Sequence, residues 1–386
     1  MKKHLVFTGI AVLGLLAGCQ QAPQKASQQM DHPMVEVADY GVKGDGQTLN
    51  TEAFNKAIQE APEGAVIHIP AGKYLTGTIR LKSHITLQLD TLAEIIGTTD
   101  LEAYDHYRPT KDMTRYDTGA GTANANLTGD ERWTKALILG QNLEDVTIQG
   151  RGLLNGQHVV DSLGEESMRG PHGILIAESK NVRLEGFSIT CASNYAVLGY
   201  DWEDSEVDGL KITEGWDGVH IRGGENIIIR NCDIKTGDDA LAGGYWTNML
   251  IKDCKLNSSC NGIRMIEPST NLIIEGCFIY GPGEYMHRTS GPKKKSIYGI
   301  VLEPGAWGDA PGHTENVLIK NVKIDNMLSP VVYSMGEDNT CSGLTIDGLK
   351  ATHITYNTTP LNRQECVRMW DNIQIRDLSI TMDKEE

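Results

Sequence analysis

The sequence predicts an all-β chain wound as a single-stranded right-handed parallel β-helix, with one N-terminal helix capping the coil. Three observations carry this. A nine-residue phrase recurs, its successive copies start 22 or 23 residues apart, and apolar residues alternate inside each copy. The phrase reads Asn181-Val-Arg-Leu-Glu-Gly-Phe-Ser-Ile189, and copies follow from Asp204, Asn226, Asn248 and Asn271. Further copies start at Asn316 and Asn372, with weaker ones at Asp145 and Gly343. Alternation makes short strands with one face inward, and the Gly, Asn or Asp between them supplies the bend. So short a unit cannot bury its own apolar face and must stack. Leucine-rich repeats share the period, but their Leu-x-x-Leu-x-Leu pattern and helical segment are missing.

The N-terminus stands apart from the coil. Lys2 and Lys3 precede an apolar run from Leu5 to Leu16, as in a secretory signal. The run ends Leu16-Ala-Gly-Cys19, which is similar to a bacterial lipobox. Residues 1–18 are expected to be removed as a lipoprotein signal peptide. Cys19 is then lipidated, residues 19–33 form a tether, and residues 34–386 form the catalytic domain. That places the protein at the outer membrane, on its periplasmic or cell-surface face.

Val37 to Gly46 reads as a turn-rich strand. Asn50 is a plausible N-cap for a helix through Ala61, with Phe54, Ala57 and Ile58 on one face. Such a helix covers the open end of the coil and blocks edge-to-edge association. Ala65–Ile69, Gly72–Leu75 and Ile85–Leu89 follow as strands. Residues 101–134 are polar and aperiodic, and are expected to form a long loop flanking a groove. Gly281 to Ser296, with Lys293-Lys-Lys295, is expected to form another. Cys232, Cys254 and Cys277 share one place in three successive phrases, with Val322 in the equivalent place later. They are expected to stack inward as buried thiols; a metal site would need other ligand types. The formal net charge of -16 argues against a nucleic-acid partner.

Stacking gives the chemistry its coordinates. Asp217 lies 13 residues beyond Asp204, Asp239 lies 13 beyond Asn226, and Asn261 lies 13 beyond Asn248. Equal offsets on consecutive turns sit about 4.8 Å apart. Asp217 and Asp239 are therefore neighbours, with Asp238 beside them. Like charges at that range raise one pKa. A hydrolase gains from this a proton donor next to an ionised base. The alternative is a solvated acidic turn or a Ca²⁺ site.

Thr236-Gly-Asp-Asp-Ala-Leu241 resembles the Gly-Asp-Asp segment of glycoside hydrolase family 28, the polygalacturonases and their relatives. Trp216-Asp-Gly-Val-His-Ile221 is similar to that family's Asn-Thr-Asp-Gly segment. Asp39-Tyr-Gly41, Gly44-Asp-Gly46 and Ile96-Gly-Thr-Thr-Asp100 add to a resemblance spanning roughly residues 35 to 382. It implies the pectin lyase-like β-helix and a hydrolysis that inverts the anomeric carbon. Asp238 would protonate the leaving oxygen, and Asp217 and Asp239 would activate water. It implies no cofactor and no catalytic metal. An inverting pair is expected to stand about 6.5–9.5 Å apart, so the donor should point away from at least one partner.

Two departures bear on the substrate. Ser259-Cys-Asn-Gly262 stands where the family has Gly-His-Gly, so Asn261, or in second place Cys260, occupies the His position. The family's Arg-Ile-Lys clamp for a uronate carboxylate falls on Tyr298-Gly-Ile-Val-Leu-Glu303, which carries Glu303 and no base. That removes charge-assisted contacts expected for galacturonate, and points to a rhamnogalacturonan or another linkage. Arg264, on the turn bearing Asn261, is the expected compensation, ahead of the Lys293–Lys295 loop. Glu267 and Glu303, in Ile266-Glu-Pro268 and Leu302-Glu-Pro304, form a second acidic pair placed along the groove. Trp216, Trp246 and His287, and with them Trp307, are candidates to stack on sugar rings. The expected partner is a polysaccharide or oligosaccharide. The other readings are a lyase or epimerase on the same fold, and a noncatalytic surface glycan binder.

Overall fold

The computed structural model describes residues 32–122, 124–305, 310–356, 359–360 and 370–383. The chain divides into Met1–His32 and Pro33–Glu386, and the fold below is that of the second unit. Cys19 and Trp307 lie outside the described residues.

The strands pair in parallel and gather into sheets of 19 and 11 strands, as a right-handed β-helix. Each phrase advances the chain by one turn. Val219 aligns with Leu241, Leu241 with Ile263, and Ile263 with Ile300. The last apolar residue of each phrase builds one stack: Ile189, Ile212, Ile234, Leu256, Ile279 and Ile324. All six are buried, and each contributes roughly 1.5–3 kcal/mol by leaving water.

The Asn that opens each phrase has two physical reasons. It sits at positive φ, from 51° at Asn181 to 58° at Asn226 and Asn248, a conformation Asn tolerates better than most residues. Its side chain also builds an exposed ladder. Asn226 donates to Asp204, Asn248 to Asn226, and Asn271 to Asn248, each at 2.9 Å, and Asn316 donates to Asn271 at 3.1 Å.

The cysteines stack inward as expected. Cys232, Cys254 and Cys277 are buried free thiols, with Val322 buried in the later equivalent place. The helix spans Thr51–Glu60, and Phe54 and Ile58 join the core. Asn50 precedes it, but its amide serves the chain differently. It donates to the carbonyls of Lys43, Thr48 and Leu75 instead of capping the helix.

The segment 101–134 is far more packed than its polar sequence implies. Tyr107, Met113, Tyr116 and Trp133 are buried against Ala136, Leu139, Leu175, Ala177, Leu198 and Tyr200 on the outer face of the sheet. Trp133 Nε1 donates to the Tyr200 hydroxyl at 2.9 Å, and the Tyr107 hydroxyl donates to Glu178 Oε1 at 2.7 Å.

Candidate active site

The coil holds the three aspartates as its register requires. The Asp239 amide donates to Asp217 Oδ1 at 3.2 Å, and the Asn261 amide repeats the step to Asp239 Oδ1 at 3.1 Å. Asp238, one residue along, turns its carboxylate into the same cavity of about 180 Å³. Oxygens of the three carboxylates lie within 4.8 Å of one another. The expectation that the donor points away from a partner is therefore not met, because the three side chains converge on one cavity.

Asp238 is the most open of the three. Its side chain is 19% exposed, against 5% for each of Asp217 and Asp239. Burial opposes its ionisation, but His287, Arg169 and Arg264 outweigh it and hold the carboxyl below the usual carboxylate range. Arg169 Nη2 lies 3.2 Å from Asp238 Oδ2, and His287 Nε2 lies 3.5 Å from it. Burial, together with the charges of Asp238 and Asp239, pushes Asp217 well above the usual range. Burial also raises Asp239 to about 6, against Arg264 and with the help of Asp238. The cluster thus holds its protons into the weakly acidic range while keeping one carboxylate ionised.

Two histidines have their tautomers fixed by neighbours. Arg222 Nε donates to His220 Nε2 at 3.0 Å, and a guanidinium can only donate. The proton of His220 is therefore on Nδ1, which donates to Asp217 Oδ2 at 2.7 Å. Burial, with the nearby cations Arg222 and Arg264, keeps His220 neutral. His287 is fixed the other way. The Thr289 and Ser290 amides approach its Nδ1 at 3.3 and 3.1 Å, so its proton sits on Nε2, facing Asp238.

Several expected contacts turn out differently. His287 lines the cavity from the 281–296 segment with its Nε2 turned to Asp238. Trp216 is fully buried and carries the Arg169 guanidinium 3.8 Å over its ring, so the partner it stacks on is a cation. Trp246 points into the core, where its Nε1 donates to the Ile221 carbonyl at 2.8 Å; its indole has no face left for a ligand. Glu303 is fully buried and does not reach the groove. It accepts from Arg264 Nε and Nη2, at 2.8 and 2.7 Å, and so aims Arg264 at Asp239, 3.5 Å away. Glu267 is buried too, which pushes its carboxyl up to about 7, and it faces Arg222 rather than the groove. Asn261 stands one turn on from Asp239, its side-chain amide donating to Asp239 Oδ1 at 2.7 Å. Lys293 reaches Cys260 at 3.2 Å.

Sequence reasoning missed Arg169, Glu165, Glu166, His220, Arg222 and Asn126, all of which line the cavity. A signal existed for two of them. Val219 and Ile221 face inward, so His220 and Arg222 share the outward parity, and His220 aligns through Ala242 with Arg264. The others lie in segments without periodicity. A larger groove of about 620 Å³, bordered by Lys111, Asp201 and Tyr245, contains none of the three aspartates. Its acids Asp201 and Glu203 are paired with Lys111 and Lys180.

Residues 34–286 match the family model described as rhamnogalacturonase A/epimerase, pectate lyase-like. A probable polygalacturonase of Vitis vinifera is 30% identical over 53% of this chain and 43% of its own length. An exo-poly-alpha-D-galacturonosidase of Dickeya chrysanthemi is 25% identical over 54% of this chain and 41% of its own. The chain thus spans about two fifths of either relative. The family 28 exopolygalacturonase structure of Yersinia enterocolitica superposes on 90% of this chain and 78% of its own, with a TM-score of 0.56 and 17% identity, a likeness of fold.

Proposed function

The chain belongs to the rhamnogalacturonase A/epimerase, pectate lyase-like family, and on that premise we propose that it hydrolyses a glycosidic bond in a pectin-type polysaccharide. The observation that carries this reading is the convergence of Asp217, Asp238 and Asp239 on one cavity with unlike environments. Asp238, the most exposed, protonates the leaving oxygen; in the free enzyme the cluster's protons sit on Asp217 and Asp239, so one of them passes to Asp238 as substrate binds, which leaves its donor ionised. Asp217 and Asp239 hold and deprotonate the water. Both oxygens of Asp217 are held, by His220 Nδ1 and the Asp239 amide, and Asp239 is held by Asn261 and Arg264. Carboxylates so restrained suit a base that orients water better than a nucleophile that must swing. We therefore favour inversion, although the spacing is nearer the about 5–5.5 Å of retaining pairs.

The cations near the bond favour a linkage other than plain homogalacturonan. The Tyr298–Glu303 segment, where the resemblance puts the family's clamp, carries no Arg or Lys, and Arg264 and Arg169 are already tied to carboxylates. The same ties argue against a lyase. Burial opposes the charge on Arg169 and Arg264, but the carboxylates around them outweigh it and raise both pKa values, so neither can take a substrate proton. Mass analysis of defined pectic oligosaccharides tests the reading. Products gaining one water are expected from the wild type and not from Asp238→Asn. Unsaturated products absorbing in the ultraviolet would overturn it in favour of elimination.

The Leu16-Ala-Gly-Cys19 segment supports lipid anchoring at the outer membrane. Metabolic labelling with a radioactive fatty acid should mark the wild type and spare Cys19→Ala.

A further inference from the structure

The outer face of the coil on the N-terminal side of the aspartates is covered. In an open groove the outward side chains of Ala136–Gln141, His172–Glu185 and Val197–Glu203 would form a floor for successive sugars. Here Leu139, Leu175, Leu198 and Tyr200 are sealed beneath Tyr107, Met113, Tyr116 and Trp133. Burial of those four covering side chains contributes on the order of 6–12 kcal/mol, so this cover is a wall and not a lid that opens with thermal motion. Arg222 ties the wall to the catalytic turn. It donates to the Tyr116 carbonyl at 2.8 Å, to Thr118 Oγ1 at 3.2 Å and to Asn126 Oδ1 at 2.8 Å. What remains is a cavity of about 180 Å³. Pockets that take drug-sized ligands measure about 300–1,000 Å³, so the room here is for about one sugar ring.

The end wall of this cavity is built to receive something polar. Asn126, Glu165, Glu166 and Arg169 line it. Asn126 and Arg169 are 5% exposed, and the Glu165 side chain likewise. Asn126 Nδ2 turns to the Glu165 carboxyl and Glu165 Oε2 lies 3.4 Å from Arg169 Nε, contacts too poorly aligned to satisfy either atom, and Glu166 Oε2 has no hydrogen-bond partner; all three atoms are sealed from solvent. Buried polar atoms in that state cost about 1–3 kcal/mol each. Their chemistry is one amide donor and two carboxylate acceptors, a set that pairs with hydroxyls. A carboxylate on the ligand finds no spare cation there. Arg169 already faces Glu165 at 3.4 Å, Glu166 at 3.2 Å and Asp238 at 3.2 Å.

Resting on the hydrolase reading, we infer that the protein is exo-acting: Asn126, Glu165 and Glu166 form a closed subsite that takes the terminal sugar of a chain through its hydroxyls, and that sugar is uncharged. The wall prevents the chain from continuing past this subsite, so only the terminal bond reaches Asp238.

Two measurements test it. Oligosaccharides of defined length, end-labelled and finishing in either a neutral sugar or a uronate, are digested and sized over time. The expected first products are one neutral monosaccharide and a chain shortened by one. Internal cuts, or a terminal uronate released as fast as a neutral sugar, would overturn the inference. Binding is read separately by calorimetry on Asp238→Asn protein, where turnover plays no part. A chain with a free neutral end should bind, and the same chain with that ring's hydroxyls methylated should bind at least tenfold more weakly. Glu166→Gln should weaken the free-ended chain and leave the methylated one unchanged. Equal binding of the two chains would overturn the subsite even if hydrolysis is confirmed, and absence of cleavage beside end-selective binding would instead sink the hydrolase reading.

Discussion

The Arg264–Glu303 pair offers a test in which stability and catalysis part company. Glu303 is fully buried and receives two hydrogen bonds from Arg264, whose third nitrogen faces Asp239. At 2.7 Å and an effective dielectric of about 20, the gross attraction is about 6 kcal/mol, much of it cancelled by desolvation. Replacing Glu303 by Leu leaves the guanidinium without its main partner, which costs about 3–5 kcal/mol. At roughly 2–3 °C per kcal/mol for a domain of this size, Tm should fall by roughly 6–15 °C. Replacing both residues, Arg264→Met with Glu303→Leu, exchanges a buried ion pair for apolar volume and should recover most of that loss. Activity should not recover with it. Burial raises Asp239, and Arg264 is the cation that holds it down, so its removal lifts Asp239 further and leaves the base protonated at weakly acidic pH. Thermal unfolding and kcat/KM against pH are the assays. A double variant as unstable as Glu303→Leu, or one with wild-type activity, would refute this account of the pair.

The remaining expectations follow from the same geometry. Because burial lifts Asp239 to about 6 and the base must be ionised, kcat/KM should rise with pH through a limb near 6. Asn261→Ala, which removes a donor from Asp239, should move that limb upward; a wild-type limb near 4 would contradict the burial of Asp239. His287→Ala removes a group that holds Asp238 down, so Asp238 carries its proton to higher pH and kcat at weakly acidic pH should rise by up to about tenfold, equivalent to about one pKa unit. An unchanged kcat would show that the imidazole is idle. On the coil's surface, Asn248→Ala breaks two ladder hydrogen bonds and puts at positive φ a residue that tolerates it less well than Asn. It should cost about 2 kcal/mol in denaturant unfolding, with Asn248→Gly recovering part of it.

Much of the coil and its carboxylates was legible because both depend on register. Once copies recur every 22 or 23 residues, Asp217, Asp239 and Asn261 must stack, and no tertiary detail can move them apart. The inward thiols of Cys232, Cys254 and Cys277 follow from the same count. What failed was whatever depended on the direction of a long side chain. Trp246 reads equally well as a rim aromatic or a core residue, and the Ile221 carbonyl that receives its Nε1 decides it. Glu303 reads as a groove acid until Arg264, one turn below, is seen to claim it. His287, Arg169 and Asn126 come from aperiodic segments, whose sequence carries apolar anchors such as Tyr116 and Trp133 but no spacing to say where they dock. Position 261, where the resemblance to family 28 leads one to expect a histidine, is the instructive case. Its place in the coil is filled by an amide, while an imidazole approaches Asp238 from a segment the repeat does not govern.

Proton NMR of the anomeric signals during the first minutes of digestion tests the central claim, that the stacked aspartates act as acid and water-activating base. The first product should carry the anomeric configuration opposite to the bond cleaved, and Asp238→Asn should produce none on the same timescale. A first product of retained configuration, or undiminished cleavage by Asp238→Asn, would show that these three carboxylates do not divide the work in this way.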